Sequence, residues 1–369
     1  LKALSGVVLA AHLLKKESMK AGILYDDLNI RLGEMPDPRI RSDEVLVRSI
    51  FAGICGTDLH IYRGEFHSRV KVPAIPGHEF GGVIEEVGAD VRDFRVGDRV
   101  AADPILPCHR CVACLTGHLN ACRSLKLLGI DLNGGYGQYV AVPQSQLYRL
   151  PDNVPMYHVP MVEMYGLGHH ILQRGRVQPG ETVVILGAGK LGLSILDVLC
   201  HSVTPGLTIV TDLQLFRLQT ACQLGADVAI DLTQQDPVAQ VLELTGGVGA
   251  DCVIEAVGHY HLVEGQEPPL AQAVHMVRNG GRIVTAGLGE QLTAVHFKTL
   301  VIKESEIIAS RVTLGEFPRA IKMMAKGLLH PDLLITHQMA MKEVTEAFAQ
   351  VDREEPDTIK IVLDVQTVS

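Results

Sequence analysis

ETVVILGAGKLGLSILDVLC, residues 181–200, decides the fold. Its first seven residues form a short apolar run with β-branched side chains, the composition of a strand buried on both faces. Gly187-Ala188-Gly189-Lys190-Leu191-Gly192 follows directly, and KLGLSILDVLC (190–200) then reads as a helix. G-x-G-x-x-G between a strand and a helix is a dinucleotide-binding turn. Gly187 permits the tight turn, Gly189 lets the backbone approach a pyrophosphate, and Gly192 lets helix and strand pack closely. The helix N-terminus, with Lys190 and Leu191 in its first turn, faces the anion. Asp212 closes the next apolar run, LTIVTD (207–212). Its carboxylate suits both hydroxyls of a ribose and repels a 2′-phosphate, so NAD is expected over NADP. Arg217, one turn into the following helix, weighs slightly the other way.

Further apolar runs follow at ADVAI (226–230), DCVIEAV (251–257) and GRIVTAG (281–287), with helical stretches such as FRLQTACQL (216–224) between them. This alternation implies right-handed crossovers and a parallel sheet. Upstream the rhythm differs. EVLVRSIFAG (44–53), FGGVIEEVG (80–88) and GQYVAVP (137–143) are short strands between turns, the pattern of an antiparallel, barrel-like β domain. Downstream, VIKESEIIAS (301–310) reads as a strand, and EFPRAIKMMAKG (316–327) and KEVTEAFAQV (342–351) read as amphipathic helices. The expected fold class is therefore α/β plus β.

PCHRCVACLTGHLNAC holds Cys108, Cys111, Cys114 and Cys122. Two-residue gaps let three thiolates converge from one loop and the fourth closes a tetrahedron, which describes a closed structural Zn²⁺ site. An iron–sulfur cluster is the other four-cysteine reading. Cys200, Cys222 and Cys252 fall in apolar patterns and read as buried thiols. Such cysteine usage fits a reducing compartment and a cytoplasmic location.

A second donor set is spread along the chain. AGICGTDLH places Cys55, Thr57, Asp58 and His60 in a loop after a strand, IPGHEF adds His78 and Glu79, and PMVEMYG adds Glu163. A thiolate and an imidazole are the usual pair of an open Zn²⁺ site, and Glu79 or Glu163 can complete it with oxygen. Such a site lowers the effective pKa of a bound hydroxyl toward ~7. Thr57, a ribose hydroxyl and His60 form a proton relay to solvent.

At 369 residues the chain has room for two domains. Aromatic residues are only 4% and Trp is absent, so the core must be built from Val, Ile, Leu and Ala. The net charge of −9, without a basic tract, argues against a nucleic-acid partner. Residues 1–18 carry SGVVLAAHLL, too short to span a bilayer. They read as an extension upstream of a start at Met19, or as a leader.

Gly77-His78-Glu79-x-x-Gly82-x5-Gly88-x2-Val91, CGTDLH, the four-cysteine loop and VVILGAGKLG occur in an order that resembles the zinc-containing medium-chain alcohol dehydrogenases. The resemblance covers 19–369. It implies a GroES-like catalytic domain over 19–164, with a structural zinc loop at 103–123. A Rossmann NAD-binding domain over 165–299 and a return to the catalytic domain over 300–369 would follow. It further implies two zinc ions per subunit, NAD, and a homodimer or homotetramer acting on a small alcohol away from membranes. By matching position, Cys55 and His78 are catalytic ligands, Glu79 ligates in some states, Asp58 orients His78, and Val257 lies near the nicotinamide ribose. Glu163 stands where the polyol, threonine and sugar-acid branch has its glutamate, although Met164 replaces the usual Pro. HFKTLVIKESEIIASRV resembles the polyol and aldonate dehydrogenases, in which an arginine near Arg311 meets substrate oxygens; a surface strand residue is the plainer reading of Arg311. The expected reaction is hydride transfer from a secondary alcohol of a polyol or aldonic acid to NAD. The alternatives are threonine 3-dehydrogenation, a short-chain alcohol or diol, and a non-catalytic NAD-binding protein. Residues 259–274 form a longer loop than the resemblance leads one to expect.

Overall fold

The computed structural model describes residues 18–65, 68–258, 266–289 and 292–369. Residues 1–17 and 259–265, and with them most of the extension and half of the long loop, lie outside the described residues.

The first part of the chain is strand-rich. β1 (Ser18–Asp26) and β2 (Asn29–Pro36) pair as an antiparallel hairpin. β3 (Glu44–Gly53), α1 (Gly56–Tyr62), β4 (Glu79–Val87), β5 (Arg99–Ala102), β6 (Ile105–Leu106), α2 (Val112–Leu115), β7 (Lys126–Leu127), β8 (Tyr139–Pro143) and β9 (Leu147–Arg149) follow. The middle alternates: α3 (Met161–Arg174), β10 (Thr182–Leu186), α4 (Lys190–Ser202), β11 (Leu207–Asp212), α5 (Leu215–Gln223), β12 (Val228–Asp231), α6 (Pro237–Leu244), β13 (Ala250–Glu255), α7 (Pro269–Met276), β14 (Val277–Thr285), α8 (Phe297–Lys303) and β15 (Glu306–Ala309). The end holds α9 (Phe317–Ala325), α10 (Pro331–Leu334), β16 (Ile335–Ala340), α11 (Val344–Asp352) and β17 (Lys360–Asp364).

Two large sheets result. The seven-stranded sheet runs β16-β17-β3-β4-β5-β9, with β8 also on β3, so the last strands of the chain close onto the first part. Gly53 at the end of β3 faces Glu79 of β4 on one side and Val362 of β17 on the other. This register gathers the end of β3 and the starts of β4 and β17 at one edge of the sheet. Gly82 is required within it, because a Cβ there would lie 1.9 Å from the Arg48 carbonyl oxygen.

The six-stranded sheet is parallel throughout, in the order β12-β11-β10-β13-β14-β15. The order of strand addition reverses between β10 and β13, and a doubly wound sheet binds its ligand at the strand ends of such a switch point. Val183 and Ile185 of β10 belong to one core and Val184 and Leu186 to another, so this strand is apolar on both faces. Each such side chain, fully buried, contributes about 1.5–3 kcal/mol. α3 is buried along most of its length and packs against α4 and α9.

Three expectations are corrected here. Val301, Ile302 and Lys303 are helical, not strand; only Glu306–Ala309 of VIKESEIIAS forms β15. The β-branched residues suggested a strand, but the Lys303 ammonium donates to the carbonyls of Val274, His275 and Val277 at 2.6–3.0 Å and holds the end of α8 against α7. β15 joins the parallel sheet, so that sheet extends beyond 299 and the chain re-enters the seven-stranded sheet only at Ile335. Cys222 is exposed, since it lies on the outer side of α5.

Candidate active site

Cys55 follows β3 and is the N-cap of α1. CGTDLH is therefore a helix start and not the loop expected. The reason is local: Asp58 Oδ2 accepts the Cys55 backbone N–H at 2.8 Å, satisfying a donor that would otherwise be orphaned at the helix entry. The same carboxylate reaches the next segment. Asp58 Oδ1 accepts the Gly77 N–H at 3.3 Å and lies 3.4 Å from His78 Nδ1, an electrostatic contact longer than a good hydrogen bond. Tyr136 Oη is 3.1 Å from both Asp58 Oδ2 and the Gly53 carbonyl oxygen.

One ligand atom each from Cys55, His78 and Glu79 lies within 4.8 Å of the others. Glu79 Oε2 pairs with the ammonium of Lys360, and both side chains are wholly buried. Glu79 Oε1 is buried without a partner. A buried orphan oxygen beside a thiol and an imidazole is what a Zn²⁺ site presents before its ion is counted, so the donor set fits zinc. The electrostatics agree. Burial disfavours the imidazolium of His78, yet the facing Asp58 and Cys55 raise its pKa well above the ordinary value, which marks a strongly cation-favouring position. Burial pushes Asp58 up, but His78 and the Cys55 amide outweigh it and hold the carboxyl below its usual range.

Glu163 lies in the first turn of α3 and is buried. Burial, and then the charge of Glu79, raises its carboxyl to about 7. It stands near enough to feel Glu79 and His78, but it is outside the group whose donors converge within 4.8 Å. Met164 continues α3 as regular helix. Thr57 and His60 are half-buried on α1, and His60 Nδ1 is hydrogen-bonded to Glu65.

The glycine turn sits at the end of β10. Gly187 has φ 95°, and Val257 packs where its Cβ would be. A Cβ on Gly192 would lie 1.8 Å from the Gly187 carbonyl oxygen, so only glycine allows this turn. Gly189 caps α4 in extended conformation with open space before it, and Leu191 is half-buried. Asp212 Oδ2 accepts the Ala188 N–H at 2.7 Å and Oδ1 accepts that of Gln214 at 2.9 Å, which fixes the carboxylate beside the turn. Arg217 Nε is buried without a partner. Lys190 reaches out of the turn and donates to the Ile54 carbonyl at 3.2 Å; Lys360 donates to the same oxygen at 3.2 Å. The dinucleotide turn is thus tied to the residue preceding Cys55.

In the four-cysteine lobe, Cys108 and Cys114 sulfurs are 4.0 Å apart, Cys111 and Cys114 3.5 Å, and Cys111 and Cys122 3.9 Å. Zn–S bonds of about 2.3 Å in a tetrahedron require sulfurs about 3.8 Å apart, so the set fits zinc. Amides of Cys114 and Arg123 lower the Cys111 thiol to about 6, while burial pushes Cys114 up to about 12. Asn120 Nδ2 joins this lobe to α3, 3.2 Å from His170 Nε2, and donates to the Arg311 carbonyl at 3.1 Å. His170 Nδ1 is 2.8 Å from Glu316 Oε1. The Arg311 side chain is exposed on the loop between β15 and α9, and among the described residues it makes no hydrogen bond or ion pair.

Lys360 and Tyr136 were missed by the sequence reading. The signal for Lys360 was a lone cation inside the apolar strand KIVLD; for Tyr136, an aromatic hydroxyl in a glycine-rich turn that must bury it.

Comparison with known proteins agrees with this geometry. Residues 41–152 match the family described as alcohol dehydrogenase GroES-like domain, and residues 206–326 match zinc-binding dehydrogenase. The starvation-sensing protein RspB of Escherichia coli is 32% identical over 345 residues, covering 94% of this chain and 99% of that protein. A structure of the rspB alcohol dehydrogenase from E. coli CFT073, solved with NADH, superposes with a TM-score of 0.87 at 32% identity, covering 95% of this chain and all of that one. Sorbitol dehydrogenase of Bacillus subtilis is 30% identical, covering 94% and 97% of the two chains. L-threonine 3-dehydrogenase of the same organism is 31% identical, covering 86% and 90%. Matched by both family models and by relatives at 30% identity or more over nearly its whole length, the chain belongs to the zinc-binding, medium-chain alcohol dehydrogenase family.

Proposed function

We propose that this protein oxidises a secondary alcohol of a polyol or aldonic acid, passing hydride to NAD and a proton to solvent. The observation that carries this reading is the convergence of Cys55, His78 and Glu79, with an orphan Glu79 oxygen, one residue beyond the carbonyl that Lys190 of the dinucleotide turn holds. When bound, zinc supplies Lewis acidity toward the alcohol oxygen and the nicotinamide accepts the hydride. Cys55 and His78 hold the ion, with Glu79 or Glu163 as the oxygen ligand. Asp58 keeps the His78 ring in place. Lys360 anchors the second oxygen of Glu79, so that this carboxylate is shared between a fixed cation and the cage. Thr57 and His60 carry the proton outward along α1. Gly187, Gly189, Lys190, Leu191 and Gly192 take the pyrophosphate, Asp212 and Arg217 the adenosine ribose, and Val257 the nicotinamide side. Arg311 offers a guanidinium to a substrate carboxylate. Cys108, Cys111, Cys114 and Cys122 hold the structural zinc.

The eight free cysteines suit a reducing compartment such as the cytoplasm. Among the described residues no helix is long and apolar enough to cross a membrane. We also expect a homo-oligomer.

The test is NADH formation against galactonate, idonate, sorbitol, galactitol, threonine, butanediol and ethanol, with and without a zinc chelator. Chelator-sensitive turnover of a polyol or aldonate supports the reading. Turnover confined to threonine places the substrate with the threonine dehydrogenases, and NADH binding without turnover on any of these substrates removes the proposal.

A further inference from the structure

Asp197, on the inner face of α4, is wholly buried, and no lysine or arginine pairs with it among the described residues. Its Oδ2 accepts from the Tyr165 hydroxyl at 2.8 Å and from the His330 backbone N–H at 2.7 Å. Its Oδ1 lies 3.0 Å from His330 Nδ1 and 3.1 Å from His201 Nδ1. His201 Nδ1 also donates to the Asp197 carbonyl, one turn back, at 2.8 Å. Both imidazoles therefore spend Nδ1 on Asp197, and the lone pair left to each is on Nε2. The ring centroids are 4.7 Å apart and the side chains are 30% and 43% exposed. One donor atom from each of the three residues lies within 4.8 Å of the others, and both Nδ1 atoms lie on Asp197 Oδ1.

A carboxylate that takes the Nδ1 proton of a histidine is how proteins fix a ring for a metal ion on the other nitrogen. Here Asp197 fixes two rings, His330 through its carboxylate and His201 through its backbone carbonyl with the carboxylate 3.1 Å away. Its charge is buried and, with neutral imidazoles, is met by hydrogen bonds from Tyr165 and His330 and by no full positive charge, so a nearby cation is favoured there. The C-terminal end of α4 adds partial negative charge at the same place. We propose that His201 and His330 bind a divalent ion of the zinc class through Nε2, with Asp197 as the orienting carboxylate and water completing the shell. Two imidazoles favour zinc, nickel or cobalt over calcium or magnesium. The site shares no residue with either cysteine site, and His201 lies eleven residues along α4 from Lys190, which adjoins Cys55, about 16 Å at 1.5 Å per residue. Its effect is to staple α4 of the parallel sheet to the segment that enters α10 and then β16 of the other sheet.

The experiment uses tag-free protein with both cysteine sites already filled with zinc, titrated with Zn²⁺ and, for its visible spectrum, Co²⁺. The expected result is one further ion per chain, a rise in Tm with added zinc, and no change in turnover. His201→Ala with His330→Ala keeps the first two ions and loses the third, with affinity down at least about tenfold, and its Tm no longer responds to zinc. His201→Gln and His330→Gln, each made alone, retain a hydrogen-bonding amide and give the same loss if the Ala pair folds poorly. Absence of a further ion in the parent protein overturns the site, as does a double variant that titrates like the parent.

Discussion

Buried charge is arranged around Cys55 in a chain of alternating sign. Asp58 faces His78, Glu79 faces Lys360, and Lys360 and Lys190 share the carbonyl of Ile54. Each group is expensive to bury alone and is held by its neighbour. Within that frame α1 is capped through the Cys55 amide and Asp58, and a serine hydroxyl can replace the thiol at the N-cap position. Cys55→Ser should therefore fold and bind NADH within about twofold of the parent. Its turnover should fall by about a thousandfold or more, since a Lewis acid supplies several kcal/mol and each 1.36 kcal/mol is about tenfold in rate. Steady-state assays beside NADH fluorescence titration check this, and retained turnover removes Cys55 from the metal site. Cys55, His78 and Glu79 were legible in the sequence because short motifs carry them. Lys360 was not, because its partner Glu79 lies 281 residues away and only the pairing of β17 with β3 and of β3 with β4 brings them together.

At the scale of elements, the four-cysteine lobe has two tiny strands, one turn of helix and few apolar residues of its own. Ile105 and Leu127 anchor its strands to the core, but the stretch between them buries little else apolar, and the ion supplies the folding free energy of the cysteine loop. Cys111→Ser should lower Tm by more than about 5 °C or leave the protein insoluble, on the order of several kcal/mol. Calorimetry with metal analysis tests it, and a variant with parental Tm and one zinc fewer contradicts it. A second element-level case is the joint of β10 and β13. Asp251 accepts the Thr182 N–H at 2.8 Å and pairs with Arg278 at 2.6 Å. Burial pushes its carboxyl up, but Arg278 and the Thr182 amide outweigh that and lower it below 3.8. A depressed folded pKa gives stability that is present above the unfolded value and is lost as pH falls through the folded one. Asp251→Asn should thus have a lower Tm than the parent at pH 7, and the gap should close below about pH 3.8, near the ordinary Asp value. A gap that persists unchanged to pH 2.5 assigns the difference to lost geometry instead of charge. The strands of the parallel sheet were legible because burial on both faces leaves continuous apolar runs. The helix over Phe297–Lys303 was not, because its Val and Ile carry the same local preference as the strand that follows and a distant contact decides between them.

For the molecule as a whole, the order of the sheets follows from the sequence pattern, whereas the closing of the chain's end onto its beginning was legible through the family resemblance alone, since no local property of Lys360–Asp364 names β3 as its neighbour. The same large-scale view exposes one unfinished edge. β15 is the last strand of the parallel sheet, and its outer backbone groups have no strand to pair with among the described residues. Within it Ile307 is 42% exposed, and Val301 and Ile302 of the preceding α8 are 63% and 67% exposed. An edge strand left open with an exposed isoleucine invites pairing with another chain. A second copy of the protein offers the self-complementary partner, β15 against β15 about a two-fold axis. Ile307→Lys introduces a charge that would be desolvated twice in such a dimer, once per copy. The parent should elute as a dimer or a multiple of it by light scattering, and Ile307→Lys should shift to the monomer at micromolar concentration while retaining both zinc ions. A variant that remains fully associated places the interface on another surface, and a monomeric parent removes the homo-oligomer altogether.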